Sequence, residues 1–446
     1  MNPPSPLHPR RAAAASGASL TTGSLLAHRL ANGIRLLILP GLKFRRRSIT
    51  LTCRLRLGTE TAAQALVPAV LVRGSSRVPE TLHLRARLDD LYGASLTGAA
   101  SKLGNAHLLH LRLGTVSDRV LPEPVWESAL ELWADVLRQP LLDQDGFHAG
   151  YVEEERRSIS SELAGIFNNK TEYAQIRMLE AMFQGDPYSQ TAYGTVAQLE
   201  STGPKEVARA YVALLAGAPI TIATSGDVDP EQTVRQMENL FGDLAMRADD
   251  PYRPPAEMAT HAVREVEERQ AVDQGKLVMG YRLGRHAAQP ERLAVRVANA
   301  LLGRYPHSLL FRHVREEASL AYYAASQVDL FKGLLVVHSG IDPRHRQGAQ
   351  EIIERQVEAI REGTFSDEEL ELTRRAMQNE LAAQTDRPEA VLGHAYDMDL
   401  LGEPYAPERE QAALAEISRQ EVQAAFSRVQ LDTVYFMSRP LAEGEL

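Results

Sequence analysis

The 446 residues contain one cysteine, Cys53, and two tryptophans, and no apolar run reaches the roughly 18 residues that a bilayer-spanning helix requires. A lone cysteine excludes an internal disulfide and a cysteine-rich zinc site, and it fits a reducing, cytoplasmic setting. The shortness of the apolar runs argues against an integral membrane protein. Also missing are G-x-S-x-G, a P-loop and a glycine-rich dinucleotide turn, so serine-hydrolase and nucleotide chemistry have no anchor in the chain. Acidic residues are absent from the first 59 positions, the first being Glu60, yet the whole chain carries 49 basic against 58 acidic side chains, a net charge of −9. That balance argues against nucleic acid as the main partner.

What is present is an ordinary globular composition, 44% hydrophobic and 24% charged. At about 150 residues per domain the length allows two or three domains. Residues 1–22, rich in Arg, Ala and Ser, read as a disordered tail. Asn32-Gly33 between two apolar runs predicts a hairpin with both turn residues at positive φ. A strand is expected over 49–57, a buried helix over 61–73, and a second helix from Glu80 with Gly93 as its cap. Strands over 95–101 and 107–113 and an amphipathic helix over 125–137 follow. Long helices over 143–166 and 170–184, a short strand over 219–225 and a helix over 230–241 complete the set. The Pro-rich charged stretch 249–255 reads as a linker.

Beyond the linker the pattern recurs. Arg156-Arg157 followed by Glu162-Leu163 is matched by Arg374-Arg375 followed by Glu380-Leu381 at the same spacing. Each copy leads to a Gly-acid-Pro-Tyr turn, Gly185-Asp186-Pro187-Tyr188 and Gly402-Glu403-Pro404-Tyr405, at nearly the same offset. Upstream, Arg56-Leu57-Gly58 is echoed by Arg282-Leu283-Gly284 and Ala94-Ser95-Leu96 by Ala318-Ser319-Leu320. The common order points to duplication. The expected fold is therefore α+β: two tandem homologous α/β-sandwich halves, each a mixed sheet covered by helices, together forming a clamshell-like chamber. The boundaries are 1–22 for the tail, 23–244 for the N-terminal half, 245–262 for the linker and 263–446 for the C-terminal half.

None of the 13 histidines makes a metal pair. His107 and His110, three apart on an expected strand, face opposite ways and read as surface or satisfied core residues.

The tandem halves, the opening Ala-Asn-Gly-Ile-Arg-Leu-Leu and the later Val-Arg-Glu-Glu-Ala-Ser-Leu-Ala-Tyr resemble the pitrilysin/insulinase-type zinc metallopeptidases over nearly the whole chain from about Leu26. In active members an H-x-x-E-H helix supplies two zinc-binding imidazoles and a water-activating Glu. Anchored on Arg73-Gly74-Ser75, the resemblance places Ala65, Leu66, Val67, Pro68 and Ala69 there, so the two ligand positions, Ala65 and Ala69, and the base position, Pro68, carry nothing that binds metal or accepts a proton. It maps the family's third zinc ligand onto Glu162 and its supporting carboxylate onto Glu155. With no metal to hold, these two are expected to pair with helix arginines such as Arg156. It maps the substrate-gripping Arg and Tyr of the second half onto Arg315 and Tyr322, with Tyr323 a competing tyrosine. The alternative for this pair is that Arg315 pairs with Glu316 or Glu317 and Tyr322 packs at the base of a strand.

The resemblance implies a non-catalytic, peptide-binding subunit of a heterodimeric zinc peptidase. No cofactor is expected in this chain, zinc lying in the partner subunit only. The partners implied are a zinc-bearing peptidase subunit of the same family and a peptide substrate, with neither nucleic acid nor membrane. A homodimeric scaffold without a peptidase role is the alternative from a different class, and an autonomous metallopeptidase a third reading.

Overall fold

The computed structural model describes residues 24–43, 45–247, 253, 262–284, 287 and 290–440. The expected tail and nearly all of the expected linker lie outside the described residues. The N-terminal half contributes β1 (Leu26–Arg29), β2 (Arg35–Pro40), β3 (Arg46–Arg56), β4 (Ser95–Leu103), β5 (Ala106–Val116), the short pair β6 (Leu142–Asp143) and β7 (Gly146–Phe147), and β8 (Ile220–Gly226). Its helices are α1 (Thr61–Leu71), α2 (Thr81–Asp90), α3 (Trp126–Arg138), α4 (Ala149–Gly165), α5 (Lys170–Met182), α6 (Val196–Ser201), α7 (Pro204–Gly217) and α8 (Pro230–Phe241). The C-terminal half contributes β9 (Arg264–Arg269), β10 (Gly275–Arg282), β11 (Ala321–Asp329), β12 (Leu334–Ile341) and β13 (Gln430–Ser438). Its helices are α9 (Arg292–Asn299), α10 (Arg346–Glu362), α11 (Asp367–Gln384), α12 (Pro388–Leu400), α13 (Pro407–Glu416) and α14 (Arg419–Phe426), with wide π-helical turns at Ala300–Arg304 and Phe311–Glu317.

The sheet orders establish the duplication. The first sheet runs β1-β2-β8-β3-β5-β4 and the second β11-β12-β10-β13-β9. Setting β1 aside and reading the second sheet in reverse makes the orders identical. The pairing directions match as well, because among the described residues the only parallel neighbours are β2 with β8 in one half and β9 with β13 in the other. Both sheets are mixed and covered by helices, as the sequence predicts.

Each half has its own core. In the first, Trp133 of α3 stacks edge-on against Phe241 of α8 at 5.5 Å and donates its indole N–H to Leu111 O at 3.2 Å. The hairpin at Asn32-Gly33 forms, with a correction to its turn. Only Gly33 has positive φ, +88°. Gly33 N donates to Leu30 O and Leu30 N to Ile34 O, which makes a three-residue loop, a type I turn closed by a left-handed glycine. Asn32 is spared the left-handed region because its side chain is engaged elsewhere: Nδ2 donates to Phe241 O at 2.7 Å. A second correction concerns α4, which begins at Ala149 rather than near Asp143. The intervening residues form the β6–β7 hairpin, whose Gly146 sits at φ +130° against the Pro204 carbonyl, where no Cβ fits.

The inner strands β2, β10, β12 and β13 are largely apolar because both of their faces are buried. In β2, Leu36 and Ile38 enter the first core, whereas Leu37 and Leu39 pack with Val391, Leu392 and Ala395 of α12. In the second sheet Leu277, Met279, Leu335, Val337, Val434 and Phe436 face their own helices. The opposite face, Val278, Leu334, Val336, Tyr435 and Met437, packs against Ala174, Met178 and Met182 of α5. Gly280 lies so close beneath α5 that a Cβ there would meet the sulfurs of Met182 and Met178 at 2.6 and 2.7 Å. Each half thus lends one helix to cover the other half's sheet.

Charge reinforces the exchange. Arg35 pairs with Asp399 at the end of α12, and Lys43 pairs with Asp386 just before it. The acid-free first strands therefore find counterions in the C-terminal half. Among the described residues no helix is long and apolar enough to cross a membrane.

Candidate functional site

Helix α1 starts where Thr61 Oγ1 accepts from Gly58 N at 2.8 Å and donates to Gly58 O at 2.9 Å. Its residues Ala65, Leu66, Val67 and Pro68 are buried, and Ala69 is partly buried against the core. Pro68 lacks the N–H that would bond the Gln64 carbonyl, and the helix backbone at Pro68 presses on β4: a Cβ on Gly98 would lie 1.9 Å from Pro68 O. Two alanines and a proline offer no donor atom to a metal and no base to a water. Among the described residues no group of three or more His, Cys, Asp or Glu side chains could hold a metal ion. The residues present at this position do not fit zinc.

The two carboxylates beside it have separated. Glu155 accepts from Arg73 Nη1 at 2.9 Å, and the same guanidinium pairs with Glu154 and lies 5.1 Å over the Tyr151 ring. Arg156, the expected partner, pairs instead with Glu153, one turn back, because adjacent helix positions point in different directions. Glu162 has no ion pair among the described residues. It lines a cavity of about 490 Å³ with Lys102, Ile166, Ile176, Leu179 and Tyr193.

The electrostatics of this cavity come from burial. Burial and the neighbouring Glu162 carboxylate raise the Tyr193 phenol above its ordinary value. Burial pushes the Lys102 ammonium down to about 8, although it donates to Tyr188 O at 2.9 Å and Gln190 O at 3.1 Å. Lys102 and Tyr193 were not singled out by sequence. A single lysine in a strand carries no signal of its own, but the Gly185-Asp186-Pro187-Tyr188 turn that holds it was visible as a repeat marker. The two strand histidines are as bland as expected. His107 is buried against Gln64 Oε1 at 2.8 Å, His110 contacts Thr52 and Ser101 hydroxyls at 3.0 and 2.8 Å, and burial lowers both to about 4.

Neither Arg315 nor Tyr322 lines that cavity. Arg315 lies on the π-helical turn, exposed, with its guanidinium 4.5 Å over the Phe311 ring. It pairs with neither Glu316 nor Glu317, whose Oε2 instead lies 2.7 Å from His313 Nδ1. Tyr322 is 62% exposed and does not pack at the base of a strand. The reason is a β-bulge: the β11–β12 register jumps between Ala321 and Tyr323 and leaves Tyr322 without a cross-strand partner. Tyr323 turns inward, its hydroxyl 3.2 Å from Thr171 Oγ1 and its ring against Gly340.

Among the described residues the edge strand β4, next to α1, has one strand partner, β5. Helix α1, with no metal-binding side chain at 65, 68 or 69, thus lies against the edge strand β4, whose Lys102 lines the Glu162 cavity.

Comparison with known proteins agrees. Residues 204–377 match the family described as Peptidase M16 inactive domain. The chain is 30% identical over 388 residues to the probable inactive metalloprotease YmfF of Bacillus subtilis, covering 85% of this chain and 89% of that protein. It is 24% identical over 249 residues to the B. subtilis subtilosin biosynthesis protein AlbE, 54% of this chain and 60% of that one. A conserved protein from Enterococcus faecalis V583 superposes with a TM-score of 0.84 at 26% identity, over 94% of this chain and 99% of that one. The periplasmic protease PqqL of Escherichia coli shares the fold, with a TM-score of 0.69 at 17% identity, and this chain spans 46% of it. The chain belongs to the M16 peptidase family, the pitrilysin/insulinase type, as a non-catalytic homologue.

Proposed function

We propose that this protein is the non-catalytic, peptide-binding subunit of a heterodimeric cytoplasmic zinc peptidase, joined to a zinc-bearing member of the same family. The observation that carries the reading is the bulge at Tyr322. It holds a phenol out of the sheet at 62% exposure, with the exposed Arg315 seven positions earlier and not paired with its neighbouring acids. A fixed guanidinium grips a peptide carbonyl or carboxylate, and a phenol donates to a developing oxyanion. In this reading both act on a peptide whose scissile bond lies at the partner's zinc. The strand edge of β4 offers main-chain hydrogen bonds to an extended peptide, and the neighbouring cavity takes a side chain.

The test is capture of the tagged chain from its host, followed by assay of the reconstituted pair. The expected result is one H-x-x-E-H protein recovered in about equal amount. Arg315→Ala and Tyr322→Phe are each expected to lower kcat/KM of the pair about 100-fold, with the thermal melt of this subunit unchanged. Recovery of a homodimer alone, or full turnover by both variants, overturns the proposal.

A further inference from the structure

A second cavity, of about 560 Å³, lies in the C-terminal half between α9, α12 and α13, within the size range of small-molecule sites. Leu293, Leu330, Phe331, Met398 and Leu401 give it apolar walls. Most of its charged groups satisfy one another. Arg292 is bidentate on Glu403, with Nη1 2.9 Å from Oε1, and Glu410 takes both Arg296 and His394, the latter at 3.0 Å. Two are left over. The half-buried Asp397 on α12 and the exposed Arg409 on α13 line the same cavity, and neither side chain makes a hydrogen bond or ion pair among the described residues.

A carboxylate and a guanidinium without direct partners, set in one apolar-walled cavity, are complementary to a small molecule with an ammonium at one end, a carboxylate at the other and apolar groups between. We propose that this cavity binds a short apolar peptide with both termini free, Asp397 taking the α-ammonium and Arg409 the α-carboxylate. Asp397 has reason to want such a ligand: burial pushes its carboxyl up to about 6, and Arg296 and His394 only partly offset that, while Asp329 adds to it. An ammonium delivered to it supplies the missing counterion.

The site has no twin in the other half. The repeat offset sets Asp397 against Glu180 and His394 against Arg177, and those two pair with each other on the exposed side of α5. It is also remote in residue content from the Glu162 cavity, with which it shares no lining side chain. The inference is therefore independent of the peptidase-subunit reading.

Calorimetric titration of the full chain, without any partner, tests it. Leucyl-leucine is expected to bind saturably, and acetylating its amine or amidating its carboxylate to weaken it about tenfold each. In Asp397→Asn the acetyl group is expected to make no further difference, and in Arg409→Gln the amide none, with circular dichroism showing both variants folded. Absence of saturable binding at millimolar dipeptide, indifference to both blocks, or discrimination that survives in both variants overturns the proposal.

Discussion

The two halves share one sheet order but have spent it differently. In the first, the Gly-acid-Pro-Tyr turn is tied across the junction between halves: Lys332 Nζ binds Asp186 Oδ2 at 2.6 Å and Asn105 Oδ1 at 2.7 Å, and the buried Tyr188 donates to Asp329 at 2.8 Å. In the second, the equivalent Glu403 pairs with Arg292 at a more open position, and Tyr405 stacks edge-on against His394 at 5.4 Å. The same local motif thus fastens the halves together in one copy and frames a cavity in the other. Duplication preserved the turn, and what the turn does was set by which long-range residues came to meet it.

The exchange of α5 and α12 is where this comparison breaks most violently. Met178, fully buried on the second sheet, has Ala395 as its counterpart on the first. Met178→Asp is expected to cost about 4 kcal/mol or more, read as a large drop in melting temperature, because a carboxylate would enter an apolar seam with no partner. The turn pairs come next. Lys332, whose side chain is 2% exposed, is held down by burial and answered by Asp186. Lys332→Met is expected to cost about 3 kcal/mol by stranding the Asp186 carboxylate. The equivalent Arg292→Met, in a pair 25% and 40% exposed, is expected to cost under about 1 kcal/mol. Equal losses in denaturant titrations would remove the distinction between the two turns.

A further contrast between the halves is a pH dependence. Asp397 is faced by Arg296 from α9, His394 from its own helix, Asp329 from β11 and Glu410 from α13, and its folded value of about 6 lies above the ordinary 3.8. A raised carboxyl makes its full contribution below the unfolded value and loses it as pH rises through about 6. Asp397→Asn is therefore expected to stabilise the protein by about 1–2 kcal/mol above pH 6 and to make no difference near pH 4. The glutamate at the equivalent position, Glu180, is exposed and paired with Arg177.

Much of this was legible in the sequence. Strand and helix periods placed β3, β4, β5 and α8 to within a few residues, and the spaced Arg-Arg and Gly-acid-Pro-Tyr echoes exposed the duplication. The family was legible too, in the opening Ala-Asn-Gly-Ile-Arg-Leu-Leu and the later Val-Arg-Glu-Glu-Ala-Ser-Leu-Ala-Tyr. The partners were not. A helix was expected over 170–184, but its sequence does not say which sheet it covers, and the strands that Ala174, Met178 and Met182 meet begin about 100 residues further along the chain. Glu155 was expected to pair nearby and found Arg73, 82 residues distant. The Asn32 turn missed its type because Phe241, far along the chain, claimed the side chain. The bulge that turns Tyr322 outward depends on how β11 meets β12, which the residues of β11 alone do not specify.

The lent helices bear on how such a chain could arise. A fold in which each half roofs the other's sheet is what a symmetric dimer looks like once its two subunits are written as one sentence. The covalent joint is then the least important bond between them. Cut between residues 244 and 262, neither piece keeps a complete fold, since each has given a helix away, and each carries the part its sibling lacks. The two pieces expressed as separate chains would be mutual ligands.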